Sequence, residues 1–400
     1  MSQAAAAPDP ATTYGAHANP DLLSRIPLDA RAVLDVGCGA GALGGAFRRR
    51  NPAARLIGIE PDPALAAHAR GHYAEVHGTD IETVPPPVAE GSLDAIVFGD
   101  VLEHLRDPWA VLARDIRLLS DRGVLLVCIP NLEHWSFAHR LLCGDWRYER
   151  MGLFDRTHLR WFTRATMHDA LRAAGYVPLE VAPRIFGRDK AEAFAKAMAP
   201  GFAALGIDMA EWSRRALPLQ YVWRAARVRP DPLLLVGRTL PGEAEAARAR
   251  ILDPLAALAT RPGIGTVAGP QAAPPAGAGD TPRLVILQRR GLDGAEALSE
   301  LRALRRSGAV IVQESDIDPA RLPPDAFRRV HAVQVATAAQ AAAVRALNPE
   351  VAVFAYAQLE GPDGPLLADQ LGARLAWYRG LWDRRAELDA ALLARAPDLA

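Results

Sequence analysis

The sequence is poor in cysteine, has no excess charge and lacks long hydrophobic runs. Three cysteines in 400 residues are too few for a disulfide framework and are typical of a reducing compartment. The 46 Lys and Arg balance the 46 Asp and Glu, which argues against binding to nucleic acid or anionic membranes. No apolar run approaches the ~18 residues that span a bilayer, and the first ten residues lack the features of a secretion signal. These absences predict a cytoplasmic protein with no membrane span and no nucleic-acid partner.

Cysteines and histidines at the spacings typical of metal sites are also missing. Cys38, Cys128 and Cys143, together with His134 and His139, match none of the paired layouts that hold zinc. Cys38 lies in a glycine-rich loop and Cys128 in an apolar run, so neither is expected to be a ligand. The sequence therefore predicts no metal site.

The composition that is present favours several packed domains. Half of the residues are hydrophobic and 23% are charged, which supplies a core. At ~150 residues per domain, the length predicts two or three domains. The predicted parts are a flexible N-terminal arm at 1–27, a main α/β domain at 28–240, a helix and an unpacked Pro/Gly/Ala-rich linker at 241–282, and a small α/β domain with a C-terminal helix at 283–400.

Apolar runs alternate with helical patterns, which predicts a mostly parallel sheet with helices on both faces. In the main domain the predicted strands are Ala32–Val36, Leu56–Ile59, Leu93–Phe98, Gly123–Ile129 and Tyr176–Val181, and the predicted helices are Pro63–Arg70, Pro108–Leu119 and Arg164–Ala174. After the linker, strands are predicted at Leu284–Leu287, Ala309–Gln313, Ala332–Val335 and Val351–Tyr356, helices near 294–306 and 337–347, and a last amphipathic helix at Leu367–Trp382.

The motif that says most about function is VLDVGCGAG at Val33–Gly41. In it an apolar strand leads through three glycines into a helix. Glycine lets the backbone turn sharply and approach a ligand closely. Gly37, Gly39 and Ala42 also satisfy the dinucleotide pattern G-x-G-x-x-G/A. Asp35 favours S-adenosylmethionine instead, because a carboxylate there attracts the ammonium of a methionine moiety and repels a pyrophosphate.

Two further acids follow later strands. Glu60 stands where it can accept from ribose hydroxyls, which either cofactor would offer, and Asp80 where it can accept from an adenine amino group. With VLDVGCGAG, the segments IGIEPDP, LDAIVFGDVLEHL and GVLLVCIPN resemble class I S-adenosylmethionine-dependent methyltransferases over about residues 14–240. The resemblance implies a Rossmann-like seven-stranded sheet whose last strand is antiparallel, either Leu219–Arg224 or Leu233–Arg238. The residues predicted to bind the cofactor are Asp35, Gly37, Cys38, Gly39, Gly41, Glu60, Asp80, Ile81 and Asp100.

The acceptor side of the predicted site is less clearly marked. His104 follows the fourth strand and titrates near neutrality, so it is a candidate general base; alternatively, Glu103 and His104 only brace a helix. Arg156 and His158 are predicted to bind the acceptor. The alternative for the segment around them is a structural lid, with Trp161 and Phe162 in the core and Thr163 capping a helix. The Trp146–Thr163 segment resembles methyltransferases found with bacterial polysaccharide and cell-envelope biosynthesis.

The C-terminal segment Arg283–Tyr356 resembles a fragment of the N-terminal half of a two-domain glycosyltransferase, with Glu314 and Asp316 at a strand end. The half that would hold a nucleotide sugar is missing, so we expect a module that presents the acceptor or contacts an envelope-biosynthesis protein. The predicted function is S-adenosylmethionine-dependent O-methylation of a carbohydrate or cell-envelope precursor. The alternatives are a nicotinamide-dependent oxidoreductase and a non-catalytic protein that binds S-adenosylmethionine as a scaffold.

Overall fold

The computed structural model describes residues 17–275, 277–288, 294–315, 327–356 and 368–400. Within these ranges, no helix is both long and apolar enough to cross a membrane. The chain forms two compact units. The first takes in residues up to Ile26, Ala30–Arg48 and Ala53–Arg229, and the second takes in Pro27–Asp29, Arg49–Pro52 and Pro230–Ala400.

The first unit is built on a seven-stranded sheet of order β3-β2-β1-β4-β5-β7-β6. Its strands are β1 Ala32–Val36, β2 Arg55–Ile59, β3 Glu75–His77, β4 Leu93–Gly99, β5 Leu119–Pro130, β6 Val177–Ile185 and β7 Pro218–Ala226. Strand β7 is antiparallel to both of its neighbours, whereas the other described pairings of this sheet are parallel. The fold class predicted from the sequence is confirmed: the first unit holds a Rossmann-like seven-stranded sheet with helices.

Helices cover both faces of this sheet because the central strands are apolar on both sides. Residues of β1, β4 and β5 are almost entirely buried, and they join one core with the helices. The helices are α1 Pro20–Leu23, α2 Ala42–Arg50, α3 Pro63–Ala69, α4 Pro108–Asp115, α5 Trp135–Leu142, α6 Arg164–Ala173, α7 Arg188–Ala204 and α8 Met209–Ala216, with short 3₁₀ turns at Leu102–His104 and Ile116–Leu118.

The second unit has a six-stranded parallel sheet of order β13-β12-β11-β10-β8-β9. Its strands are β8 Leu233–Arg238, β9 Ile264–Gly269, β10 Arg283–Gln288, β11 Val310–Ser315, β12 Ala332–Val335 and β13 Ala352–Ala355. Its helices are α9 Ala244–Ala247, α10 Asp253–Ala259, α11 Ala295–Arg306, α12 Ala338–Leu347, α13 Ala368–Asp383 and α14 Arg385–Arg395, with a π-helical turn at Arg248–Leu252 and a 3₁₀ turn at Pro397–Leu399.

The structure departs from the sequence prediction at the junction of the units. Of the two proposed last strands, the one at Leu219–Arg224 lies in the first sheet as β7, whereas Leu233–Arg238 is β8 of the second sheet. The predicted linker at 241–282 contains strand β9, which pairs with β8. Strand β9 lies at the edge of the sheet and has one neighbouring strand, so only its Ile264 is buried. The segment therefore lacks the apolar run from which a strand could be predicted.

The N-terminal segment also differs from the prediction of a flexible arm at 1–27. From residue 17 onward it is packed: Asn19 caps helix α1, and the side chains of Leu22 and Ile26 are buried. Residues 1–16 lie outside the described ranges, as do Asp316 and Leu367, the first residue of the predicted last helix.

Thr163 caps the N-terminus of helix α6 and provides a test of the local structure. Its Oγ1 accepts from the Thr166 N–H at 3.1 Å, and the Thr166 Oγ1 accepts from the Thr163 N–H at 2.9 Å, which is a reciprocal cap. We expect Thr163→Ala to lower the free energy of unfolding by about 1 kcal/mol, because the Thr166 N–H loses its partner. Urea denaturation measures this, and Arg172→Ala, on the exposed face of the same helix, should leave the midpoint nearly unchanged.

Candidate active site

A cavity of about 810 Å³ opens at the carboxyl ends of the central strands of the first unit. Parallel α/β sheets bind ligands at this edge, where the strand order reverses. Its lining is strongly acidic. Among the described residues, a single arginine, Arg106, lines the cavity together with seven carboxyl side chains. The seven acids are Asp35, Glu60, Asp80, Glu82, Asp100, Glu103 and Asp155.

The glycine loop after β1 forms one wall. Gly37 and Gly39 have φ angles of +68° and +55°, which side chains rarely adopt. The N–H groups of Gly37 and Cys38 donate to the Ile59 carbonyl at 2.8 and 3.1 Å, so the loop is fastened to the end of β2. A Cβ on Gly37 would lie 2.4 Å from a methyl carbon of Val101, so this position has no room for a side chain.

Asp35 lies at the end of β1 and is 5% exposed. The Tyr73 hydroxyl donates to Asp35 Oδ2 and accepts from the Gly44 N–H at 3.0 Å, which fixes both groups. Burial raises the pKa of Asp35 to about 7; the Tyr73 hydrogen bond opposes this rise, and the charge of Glu60 adds to it. A positively charged ligand beside Asp35 would favour its ionised form.

Glu60, directly after β2, holds the loop in shape. Its Oε2 accepts from the Gly39 N–H at 2.9 Å and its Oε1 from the Asp62 N–H at 3.0 Å. Each carboxylate oxygen has a second lone pair, so Glu60 can still accept from ligand hydroxyls. The role predicted for it is compatible with this geometry.

Asp100 follows β4 and has a φ angle of +57°, a strained conformation for a residue with a side chain. Its N–H donates to the Cys128 carbonyl at 3.0 Å, and the Gln220 amide donates to its Oδ1. Gln220 is in turn held by Arg184, whose Nη1 donates to its Oε1 at 2.5 Å. The side chain of Asp100 is therefore aimed by strand β7 and by β6, which carries Arg184.

Glu103, His104 and His158 stand together in the same cavity. The imidazole rings lie 4.8 Å apart, edge to face. Burial lowers the pKa of both histidines and raises that of Glu103. His104 lines the cavity, and its role as a general base stays a prediction.

Most of the predicted site residues line the cavity. They are Asp35, Gly37, Cys38, Gly39, Glu60, Asp80, Ile81, Asp100, His104 and His158. Gly41 is not among the described lining residues, since it packs against Ala69 and His72 of the α3 region. Arg156 is exposed and also outside the lining. Their predicted ligand contacts therefore find no support in the structure.

The lid alternative is correct for two of its three residues. Phe162 is buried and Thr163 caps α6, but Trp161 is 40% exposed. Sequence reasoning missed Tyr73 and Gln220, which orient Asp35 and Asp100. No local motif marks either, because each acts across the fold from an element remote in sequence.

Comparison with known proteins points to one class. Residues 12–181 match the family model described as a methyltransferase domain. A ubiquinone biosynthesis O-methyltransferase of Cereibacter sphaeroides is 29% identical over 173 residues, 42% of this chain and 68% of that protein. A probable S-adenosylmethionine-dependent methyltransferase of Mycolicibacterium smegmatis is 33% identical over 149 residues, 36% of this chain and 52% of that protein.

A crystal structure of an S-adenosylmethionine-dependent methyltransferase from Archaeoglobus fulgidus is 16% identical, with a TM-score of 0.38, over 50% of this chain and 87% of that chain. The chain spans about half the length of the mycobacterial relatives it matches. The matches support a methyltransferase domain within the first unit and S-adenosylmethionine as its cofactor. The glycosyltransferase resemblance of the C-terminal segment stays a prediction.

The pKa of Asp35 gives a prediction for pH. S-adenosylhomocysteine carries an ammonium, so we expect its Kd to rise as the pH falls from about 8 to about 6, where Asp35 takes up a proton. The neighbours that face Asp35 are Tyr73, Glu60 and Cys38. Calorimetry across this range measures the effect, and Asp35→Asn should flatten the profile. A profile that keeps its slope in Asp35→Asn would assign the titration to another group.

Proposed function

We propose that this protein is an S-adenosylmethionine-dependent methyltransferase that methylates a hydroxyl of a neutral carbohydrate or related cell-envelope precursor. One observation carries the proposal: among the described residues, seven carboxyl groups and a single arginine line the cavity. Such a lining attracts a cation and repels the pyrophosphate of a nicotinamide dinucleotide. The same charge argues against an anionic acceptor.

The chain's own residues divide the work of binding the cofactor. When bound, S-adenosylmethionine supplies a methyl group on a positively charged sulfur. Asp35 attracts its ammonium, Glu60 accepts from its ribose hydroxyls, and Asp80 accepts from the adenine amino group. Gly37 and Gly39 let the backbone approach closely, and Ile81 adds an apolar wall. Asp100 lines the methionine end.

The acceptor hydroxyl is placed at the Glu103, His104 and His158 cluster. Methyl transfer is an in-line displacement, in which the S–CH3 bond breaks as the O–CH3 bond forms and the hydroxyl proton passes to a basic group of this cluster. Alignment and exclusion of water then supply most of the acceleration. The envelope assignment is supported by the resemblance of the Trp146–Thr163 segment to methyltransferases of polysaccharide biosynthesis. We assign the second unit to presenting the acceptor or contacting an envelope-biosynthesis protein in the cytoplasm.

Release of S-adenosylhomocysteine tests the proposal on the full chain. The candidate acceptors to be tested are neutral sugars and nucleotide- or lipid-linked sugars. Catechols and aliphatic carboxylates are included as other oxygen acceptors. We expect turnover with a neutral sugar hydroxyl, and Asp35→Asn as the inactive control. Turnover confined to a carboxylate would contradict the acceptor class, and tight cofactor binding without turnover on any acceptor would favour a scaffold.

A further inference from the structure

Two short segments bring a carboxylate and two imidazoles to one point in the cavity. The 3₁₀ turn after β4 supplies Glu103 and His104, and the loop between α5 and α6 supplies His158. The Glu103 carbonyl accepts from the N–H groups of Leu159 and Arg160 at 2.7 and 2.9 Å, which ties that loop to the turn. As a result, one ligand atom from each of the three side chains lies within 4.8 Å of the others.

Glu103 is the unusual member of this group. It is 2% exposed, yet neither carboxylate oxygen has a hydrogen-bond partner in the described part of the chain. Buried carboxylates are normally hydrogen-bonded, paired with a cation or bound to a metal ion. The adjacent acids are already engaged elsewhere: Asp155 Oδ1 accepts from the N–H and Oγ1–H of Thr157, and Asp100 Oδ1 from Gln220.

The hydrogen bonds of His104 fix which of its nitrogens is free. Thr157 Oγ1 lies 2.6 Å from Asp155 Oδ1 and 3.0 Å from His104 Nδ1. Because the Thr157 hydroxyl donates its hydrogen to Asp155, its oxygen accepts from His104 Nδ1–H. The lone pair of His104 is therefore on Nε2.

His158 is oriented in the complementary way. The backbone of Leu153 hydrogen-bonds its ring, whereas its buried Nδ1 has no partner among the described residues. Nε2 thus carries the hydrogen, and Nδ1 keeps its lone pair. In both histidines one nitrogen donates to an oxygen and the other is bare, which is how metal-binding histidines are usually held.

We propose that Glu103, His104 and His158 bind one divalent transition-metal ion in the cavity. Two imidazoles and one carboxylate suit Zn²⁺, Mn²⁺ or Fe²⁺, whereas Mg²⁺ and Ca²⁺ prefer oxygen ligands alone. Ligation at about 2.1 Å places ligand atoms about 3.4 Å apart, which small side-chain rotations achieve here.

The proposed site is an alternative to two predictions from the sequence, the absence of a metal and the role of His104 as general base. The sequence spacing did not reveal it, because His158 lies on a segment far along the chain from Glu103 and His104. Three protein ligands leave coordination positions open for oxygens of an acceptor. That role rests on the proposed function, but binding of the ion does not.

Equilibrium dialysis of the full chain against Zn²⁺ tests the proposal. All variants carry Cys143→Ser, because Cys143 Sγ is exposed and 3.8 Å from His139 Nε2, a pair that could bind Zn²⁺ by itself. We expect one Zn²⁺ per chain, with affinity reduced at least ~100-fold in Glu103→Gln and His158→Asn. Thr157→Val removes the nearer of the two Thr157 oxygens beside His104 Nδ1 and leaves the carbonyl at 3.3 Å, so it should weaken binding less, by up to ~10-fold. His168→Asn, at an exposed position of helix α6, should bind as the parent does.

Spectroscopy and cofactor binding separate the outcomes. Substitution with Co²⁺ should give visible absorption bands that disappear in Glu103→Gln. Zn²⁺ binding that survives both Glu103→Gln and His158→Asn, or no stoichiometric binding at all, would overturn the proposal. Binding of S-adenosylhomocysteine, measured in the same samples, decides the proposed function separately, since Asp35 and Glu60 do not belong to the metal cluster.

Discussion

Asp35→Asn is expected to weaken S-adenosylhomocysteine binding by about two orders of magnitude, which corresponds to about 2.7 kcal/mol. The substitution keeps the shape of the side chain, and the Tyr73 hydroxyl can still donate to an amide oxygen. What is lost is the negative charge that attracts the ligand ammonium. Isothermal titration calorimetry at a pH above about 7, where the carboxyl is ionised, measures the effect.

Stability provides the control for this variant. The pKa of Asp35 is raised from 3.8 to about 7, so its ionisation disfavours the folded state as the pH rises through this interval. At about pH 8 the ligand-free Asp35→Asn protein should therefore melt at the same temperature as the parent or higher. Unchanged affinity in a well-folded Asp35→Asn protein would remove Asp35 from the cofactor site.

Gly37→Ala is expected to reduce both stability and cofactor affinity. The φ angle of +68° costs a side chain about 1–2 kcal/mol, and the new Cβ would also meet the Val101 methyl at 2.4 Å. Because the loop must shift to relieve this contact, the Kd of S-adenosylhomocysteine should rise at least ~10-fold. Thermal melting and calorimetry measure the two losses.

Gly91 offers a matched control. Its φ angle is also +68°, but nothing lies within 4 Å of the position its Cβ would take. Gly91→Ala should therefore lose stability through the backbone alone and keep its affinity. Val101→Ala combined with Gly37→Ala should recover part of the affinity, since the contact is removed. Equal losses of affinity in Gly37→Ala and Gly91→Ala would contradict a specific role for the loop.

Most residues predicted to bind the cofactor line one cavity, and the sequence could place them there because their signals are local. A parallel strand that ends in glycines and acids places Asp35, Glu60 and Asp80 at one edge of the sheet, whatever the rest of the chain does. The same rule placed Asp100. Gly41, by contrast, shares the motif but packs against the α3 region, although the next residues, Ala42 and Leu43, line the cavity.

The remaining features, the cluster around Glu103 and His158 among them, depend on contacts between segments that are remote in sequence. His158 meets Glu103 only because the loop before α6 hydrogen-bonds to the turn after β4. Strand β9 belongs to the second sheet through its pairing with β8, which its Gly-rich composition does not suggest. Trp161 is exposed although it is aromatic, because its neighbour Phe162 takes the position in the core. Residue type alone could not decide these cases.

The central claim is that an acidic cavity beside a glycine loop selects a positively charged methyl donor over a pyrophosphate. Calorimetric titration of the full chain with S-adenosylhomocysteine and, separately, with NADH tests it most directly. We expect S-adenosylhomocysteine to bind one molecule per chain and NADH to give no saturable heat. Saturable binding of NADH in a protein that ignores S-adenosylhomocysteine would contradict the account.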